Sequence, residues 1–279
     1  MTRYAYLGPA GTFTEAALLQ ITSPSDELLP YANVTAALNA VRSGSVEKAL
    51  VPIENSVEGV VARTLDELAT GDPLVISAET TLPVSFALMV LPENAKSPIT
   101  RIATHPHAEA QCRSFIAKEW PDAEIMETPS TAAAAAGLVS KNYDAAIASS
   151  FAAAKYGLTI VADNIGDNEG AITRFVVVEK PGPASLPTGN DRTSLAAFID
   201  IDHAGALLEI LTEFAKQNVN LTFIQSRPTG RELGHYHFII DAEGHIEDMP
   251  VHQAVEGLKE ICEEIRFLGS YPRAARVQK

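Results

Sequence analysis

The strongest constraint on the fold is an alternation of short apolar runs with capped, helix-like stretches over the first 180 or so of 279 residues. Residues 3–7 read as a strand leading into Gly8-Pro9-Ala10-Gly11. Thr12, with Glu15 three positions later, fits a capping box, so a helix is expected to about Ile21. Asn33 can cap a helix over 34–43 that Gly44 stops. A strand over 48–53 and a helix over 59–69 follow, then strands at 74–77, 85–91 and 101–104. A helix near 108–118 precedes an alanine-rich one over 131–139, which Ser130 can cap. The pattern continues as strand 143–148, helix 151–156 and strand 159–162, and closes on the β-branched run 172–178. Such alternation predicts α/β architecture with largely parallel sheets.

The segment 181–190 holds Pro181, Pro183 and Pro187 with Gly182 and Gly189, and it interrupts that order. It is the expected domain boundary, with 1–180 before a linker at 181–191 and 192–279 after it. The second part has a different rhythm: strand 193–199, helix 204–217, strands 221–226 and 235–240 joined by Pro228-Thr229-Gly230, helix 251–264 and strand 265–269. That is a βαββαβ order, the ferredoxin-like arrangement.

Charge and cysteine usage exclude several function classes. Asp and Glu outnumber Lys and Arg 35 to 21, a net charge of −14, which argues against nucleic acid as a partner. No apolar stretch approaches the ~20 residues that span a bilayer, so no membrane role is expected. The opening residues read as a strand rather than a secretory leader. Cys112 and Cys262 fall in different domains, where reduced thiols are the simpler expectation. A cytoplasmic location is expected.

Three segments could carry chemistry, and each has a plainer reading. The turn Gly8-Pro9-Ala10-Gly11-Thr12 between strand and helix can bind an anion, or can simply be a glycine turn before a capped helix. Pro52-Ile53-Glu54-Asn55-Ser56 ends a strand where ligands of open α/β sheets bind, or Asn55 or Ser56 only caps the next helix. In Thr173-Arg174-Phe175 the arginine can clamp a carboxylate and the threonine can donate to a departing group, or the arginine is an edge residue facing solvent. His105-Pro106-His107 lacks a third ligand at a suggestive spacing, so no metal site is expected.

Together these segments resemble the prephenate dehydratase family. Gly8-Pro9-Ala10-Gly11-Thr12-Phe13-Thr14-Glu15, Pro52-Ile53-Glu54-Asn55-Ser56 and Thr173-Arg174-Phe175 match its motifs in order, with His107-Ala108-Glu109-Ala110-Gln111-Cys112 and Ser130-Thr131-Ala132 between them. Gly205-Ala206-Leu207 and the run from Asn220 to Pro228 resemble the ACT domain attached to that enzyme, with Gln225 where the family usually has Glu. The resemblance implies a periplasmic-binding-protein-like catalytic domain of two α/β lobes, one about 1–77 plus 173–180 and one about 78–172, followed by the ACT domain. It implies conversion of prephenate to phenylpyruvate, CO₂ and water without a cofactor. Thr173 and Arg174 would then be catalytic, the latter as carboxylate anchor, and Thr12, Asn55, Ser56, Thr131 and Phe175 would bind substrate. Phenylalanine would bind as allosteric effector at ACT-domain interfaces of a dimer or tetramer, near Gly205, Ala206, Leu207, Asn220, Leu221 and Ser226.

Two rival readings use the same residues. Arogenate dehydratase performs the same elimination on a substrate with an amino group in place of the keto oxygen. A non-catalytic small-ligand binding or effector module would also suit two lobes.

Overall fold

A computed structural model of the chain describes residues 1–140, 143–199, 203–229 and 236–275. Gly230 and His235, which the sequence places in a turn and at a strand start, lie outside those residues.

The first lobe comprises β1 (Arg3–Leu7), α1 (Phe13–Leu18), β2 (Glu27–Tyr31), α2 (Val34–Ser43), β3 (Lys48–Asn55), β4 (Gly59–Val60), α3 (Ala62–Thr70) and β5 (Val75–Pro83). The expected caps form: Thr12 Oγ1 accepts the Glu15 N–H at 3.3 Å and Asn33 Oδ1 the Ala36 N–H at 2.8 Å. Gly44 ends α2 in the left-handed conformation, φ +77°.

The second lobe comprises β6 (Ala87–Val90), β7 (Arg101–Thr104), α4 (Pro106–Gln111), α5 (Arg113–Glu119), β8 (Glu124–Glu127), α6 (Thr131–Gly137), β9 (Ala145–Ala148), α7 (Ser150–Tyr156) and β10 (Thr159–Ala162). The chain then returns to the first lobe as β11 (Ile172–Glu179). The first sheet has the order β2-β1-β3-β11-β5, with β4 beside β3; the second has the order β10-β6-β9-β7-β8. Both sheets are mixed rather than largely parallel. β11 re-enters against the direction of β3 and β5, and β6 lies antiparallel to β9 and β10.

β11 is covered on both faces, which is why its sequence is apolar almost throughout. Alternate side chains go to opposite sides. Phe175 and Val177 pack with Tyr6, Ala17, Leu18 and Leu50 on the α1 side. Val176 and Val178 belong to the core under α2 and α3.

After the irregular segment that begins at Pro181, the C-terminal domain contains β12 (Asp191–Phe198), α8 (Ala206–Lys216), β13 (Leu221–Pro228), β14 (Tyr236–Glu243), α9 (Met249–Leu258) and β15 (Glu264–Pro272). Its antiparallel sheet, β13-β14-β12-β15, is the ferredoxin-like βαββαβ arrangement. One face packs on α8 and α9 through Ile210, Phe214, Val255 and Leu258. The other face sends Ala196, Phe198, Ile239, Leu268 and Tyr271 into the core of the first lobe.

That docking requires β15 to approach β5 closely. Gly269 has φ +140°, and a Cβ at this position would collide with the Ile76 carbonyl oxygen. Gly269→Ala should therefore destabilise the chain by about 2–4 kcal/mol. Thermal unfolding should show a lower melting temperature, and hydrogen exchange should rise along β5 and β15; an unchanged melting temperature would contradict this packing.

Candidate functional site

A cleft of about 330 Å³ opens between the two lobes. From the first lobe it is lined by Thr12, Phe13, Asn55, Thr173 and Phe175 among others; the second lobe adds His105, His107, Gln111, Ser130 and Thr131. Among the described residues no Lys or Arg lines it.

The central polar contact is built from two paired strands. Thr173 on β11 stands opposite Asn55 at the end of β3. The Asn55 Oδ1 accepts the backbone N–H groups of Val57 at 2.8 Å and Glu58 at 2.9 Å. These two donors fix the orientation of the amide, so its Nδ2–H must point the other way. It donates to Thr173 Oγ1 at 2.8 Å. The threonine oxygen is thus an acceptor towards Asn55, and its own proton remains free to donate into the cleft. Asn55 organises this tight turn instead of capping α3, which starts later, at Ala62, after Gly59 and Val60 have paired back onto Asn55 and Glu54.

The other expected residues divide. Phe175 and Thr131 line the cleft, and the Thr131 hydroxyl has no hydrogen-bond partner among the described residues. Thr12 lines it too, but its hydroxyl already donates to the Leu7 carbonyl at 2.9 Å and caps α1. Ser56 does not line it: the side chain is exposed, and its oxygen accepts the Ile172 N–H at 2.9 Å.

Arg174 requires a correction. A β-strand turns neighbouring side chains to opposite faces, so with Thr173 in the cleft Arg174 points away from it. Its guanidinium is buried against Asp241 at 2.8 Å and Glu79 at 3.2 Å. It is therefore not the carboxylate anchor in the cleft.

Three lining side chains were not expected from the sequence. His105 Nδ1 accepts the His107 N–H at 3.2 Å, which in the neutral ring leaves the proton on Nε2. Burial, with His107 nearby, lowers the His105 pKa and favours that neutral form. Gln111 donates to Glu58 Oε1 at 2.9 Å, and His107 Nδ1 lies 3.6 Å from Glu58 Oε2, so the two lobes are bridged beside the cleft. Lys155 with Glu15 at 2.7 Å, and the Tyr156 hydroxyl with the Ala10 carbonyl at 2.6 Å, bridge them again. The His-Pro-His spacing reads as a fragment of a metal site, and the run from His107 to Cys112 matches a family motif without marking which of its side chains reach the cleft.

The C-terminal domain has a pocket of about 180 Å³ lined by Gly205, Ala206, Leu207 and Leu208 with Ile199, His203, Tyr236 and Phe238. Asn220, Leu221 and Ser226 are not part of this lining. Asn220 instead donates to Glu243 at 3.0 Å, and Leu221 and Ser226 lie on the edge strand β13.

Comparison with known proteins agrees with this architecture. The sequence profile of the prephenate dehydratase family matches residues 4–183, and that of the ACT domain matches 199–259. A prephenate dehydratase of Mycolicibacterium vanbaalenii is 44% identical over 286 residues, covering 98% of this chain and 91% of the relative. The crystal structure of a prephenate dehydratase from Arthrobacter aurescens, solved in complex with L-Phe, is 48% identical with a TM-score of 0.91, covering 97% of this chain and 90% of that one. A protein described as a novel type of quorum-quenching acylase is 29% identical with a TM-score of 0.84, covering 97% of this chain and 98% of that one. Two α/β lobes followed by a docked ACT domain agree with the near full-length match: the chain belongs to the prephenate dehydratase family.

Proposed function

We propose that the chain is a lyase that converts prephenate to phenylpyruvate, CO₂ and water, and that phenylalanine regulates it through the ACT domain. The observation that carries the first part is the Asn55–Thr173 contact, in which the threonine oxygen accepts and its own proton stays available to a group in the cleft. The reaction breaks the bond from the ring to the carboxylate, releasing CO₂. The freed electron pair makes the ring aromatic as the C4–O bond breaks, and the departing hydroxide leaves as water after taking a proton. Aromatisation supplies driving force, so positioning and assistance to the leaving group are the main tasks of the protein. Thr173 donates a hydrogen bond to that oxygen. A threonine hydroxyl is too weak an acid to lose its proton outright, and the role is hydrogen bonding with partial transfer.

The neutral character of the described lining, which holds no Lys or Arg, supports the decarboxylation step. A carboxylate paired with a buried cation would be stabilised in the ground state; here Phe13, Phe86 and Phe175 offer apolar walls for the ring. Thr131, Ser130 and the Nε2–H of His105 are neutral donors for the substrate's carboxylates. Among the described residues neither cleft histidine is hydrogen-bonded to a hydroxyl, so the cleft offers no activated nucleophile of the kind acyl transfer uses.

Two observations bear on regulation. The relative crystallised with L-Phe shares the ACT domain, and the pocket at Gly205, Ala206 and Leu207 is of a size for a small ligand. Leu207 and Leu208 are exposed at 38% and 66%, and Ile224 on β13 at 41%, an apolar surface that a second copy of the chain would cover in a homo-oligomer. No described helix is long and apolar enough to cross a membrane. A cytoplasmic location is part of the proposal.

Purified wild type should form phenylpyruvate from prephenate, with a rate that changes on adding phenylalanine. Thr173→Ala should lower kcat about 100-fold or more while KM stays within about threefold. A loss confined to KM would sink the assigned role. Asn55→Asp, nearly the same shape, places a carboxylate oxygen where Nδ2 donates. It would capture the Thr173 proton, and kcat should fall by about 10²–10³-fold with the fold intact. Wild-type rates in that variant would contradict the hydrogen-bond polarity argued above. Turnover of arogenate in preference to prephenate would assign the chain to the amino-substituted substrate.

A further inference from the structure

Arg174 and Thr173 are consecutive on β11 and face opposite ways, one into the ACT-domain contact and the other into the cleft. Four charged side chains meet on the ACT side. Arg174 Nη1 lies 2.8 Å from Asp241 Oδ2 and 3.2 Å from Glu79 Oε2, and Arg192 Nη1 lies 3.3 Å and 3.2 Å from the same two oxygens. Exposure is 7% for Arg174, 1% for Asp241 and 9% for Arg192, so water does not screen the cluster. Two arginines and two carboxylates balance in charge, and removing one member leaves an uncompensated buried charge.

The cluster is held firmly from the ACT side. Ser194 Oγ donates to Asp241 Oδ1 at 2.6 Å and is 2.7 Å from the Tyr271 hydroxyl, and the Ala274 N–H donates to Glu79 Oε1 at 2.9 Å. The Phe223 ring lies 5.6 Å from the Arg174 guanidinium carbon. On the catalytic side the pairing of β11 with β3 shifts between Arg174 and Phe175, where Glu54 and Pro52 are successive partners and Ile53 is passed over. A bulge of this kind re-aims side chains beside a site, and its geometry needs an anchor. Arg174 is that anchor, also placing its Nε 3.3 Å from Glu54 Oε2.

We propose that Asp241, a residue of the ACT domain, is a positioning residue for Thr173: through its ion pair with Arg174 it fixes β11 at the bulge and so sets the aim of the Thr173 hydroxyl. The proposal rests on the prephenate dehydratase reading for its kinetic arm. It also explains how the ACT domain reaches the chemistry by a short route. β14 carries Tyr236 and Phe238 at the small pocket and Asp241 at the ion pair. One strand therefore touches both the effector pocket and the anchor of the catalytic strand.

The test compares Asp241→Asn with Arg227→Met. The latter breaks a separate contact between ACT domain and first lobe, the pair of Arg227 with Asp66 at 2.8 Å and 2.9 Å. Asp241→Asn should lower kcat at least about tenfold with KM within about twofold, since small displacements of an aligned catalytic group are costly. In a Thr173→Ala background it should cause no further loss, because the two substitutions remove one interaction. Arg227→Met should leave kcat unchanged. The charge-balanced double variant Arg192→Met/Asp241→Asn, which keeps the Arg174–Glu79 pair, should show the same kcat loss if the single variant fails to fold. Hydrogen exchange of peptides spanning 172–176 should be faster in the Asp241 variants and unaltered in Arg227→Met, a readout independent of substrate. A folded Asp241 variant with wild-type kcat, losses that add to those of Thr173→Ala, an equal loss in Arg227→Met, or unchanged exchange over 172–176 would each overturn the proposal. A wild type that turns over no prephenate would overturn the substrate reading, and the exchange arm would then decide the positioning role.

Discussion

Everything in this molecule is hung on β11, a strand that must satisfy two environments at once. Its odd-numbered residues complete the cleft and the core over α1; its even-numbered residues complete the core shared with the ACT domain. A one-residue slip would exchange the two sets, driving Arg174 into an apolar cleft and Thr173 among buried charges. The register is held against that by β3 on one side and β5 on the other. The strand follows directly on the second covalent crossing between the lobes, between β10 and β11, so it also anchors the segment that returns from the second lobe.

The distribution of charge follows from this division. The arginine nearest the cleft in sequence is spent on Asp241 and Glu79, where burial raises the Glu79 pKa and the neighbouring Arg174 opposes the rise. Arg174 meets the opposite balance: burial works against its charge, but Asp241, Tyr271, Glu79 and Glu54 together hold it firmly protonated. The cleft is left with neutral donors, set by hydrogen bonds between backbone and side chain. An overall charge of −14 is therefore no obstacle to an anionic substrate, because the field inside the cleft is decided by oriented N–H and O–H groups within a few ångströms.

Much of this was legible in the sequence, for local reasons. Thr12, Asn33, Ser130 and Gly44 act as the caps their residue types suggest, and the βαββαβ order of the ACT domain follows from its periodicity alone. What was not legible depended on pairing. β2 escaped notice because Pro30 interrupts it, as an edge strand tolerates. One expected helix divides at Cys112 into α4 and α5. Adjacency in sequence suggests that Arg174 shares a site with Thr173, whereas strand geometry separates the two neighbours. His105 and Gln111 belong to the second lobe, and only the closure of the lobes brings them to Thr173.

Whether Thr173 assists departure of the ring hydroxyl would be decided by a crystal structure of the chain with a stable prephenate analogue that retains that hydroxyl. The hydroxyl oxygen should lie within about 3 Å of Thr173 Oγ1, with Asn55 still donating to the threonine and Arg174 still paired with Asp241. An analogue bound with its hydroxyl at the far end of the cleft, or a carboxylate drawn onto Arg174, would contradict that role.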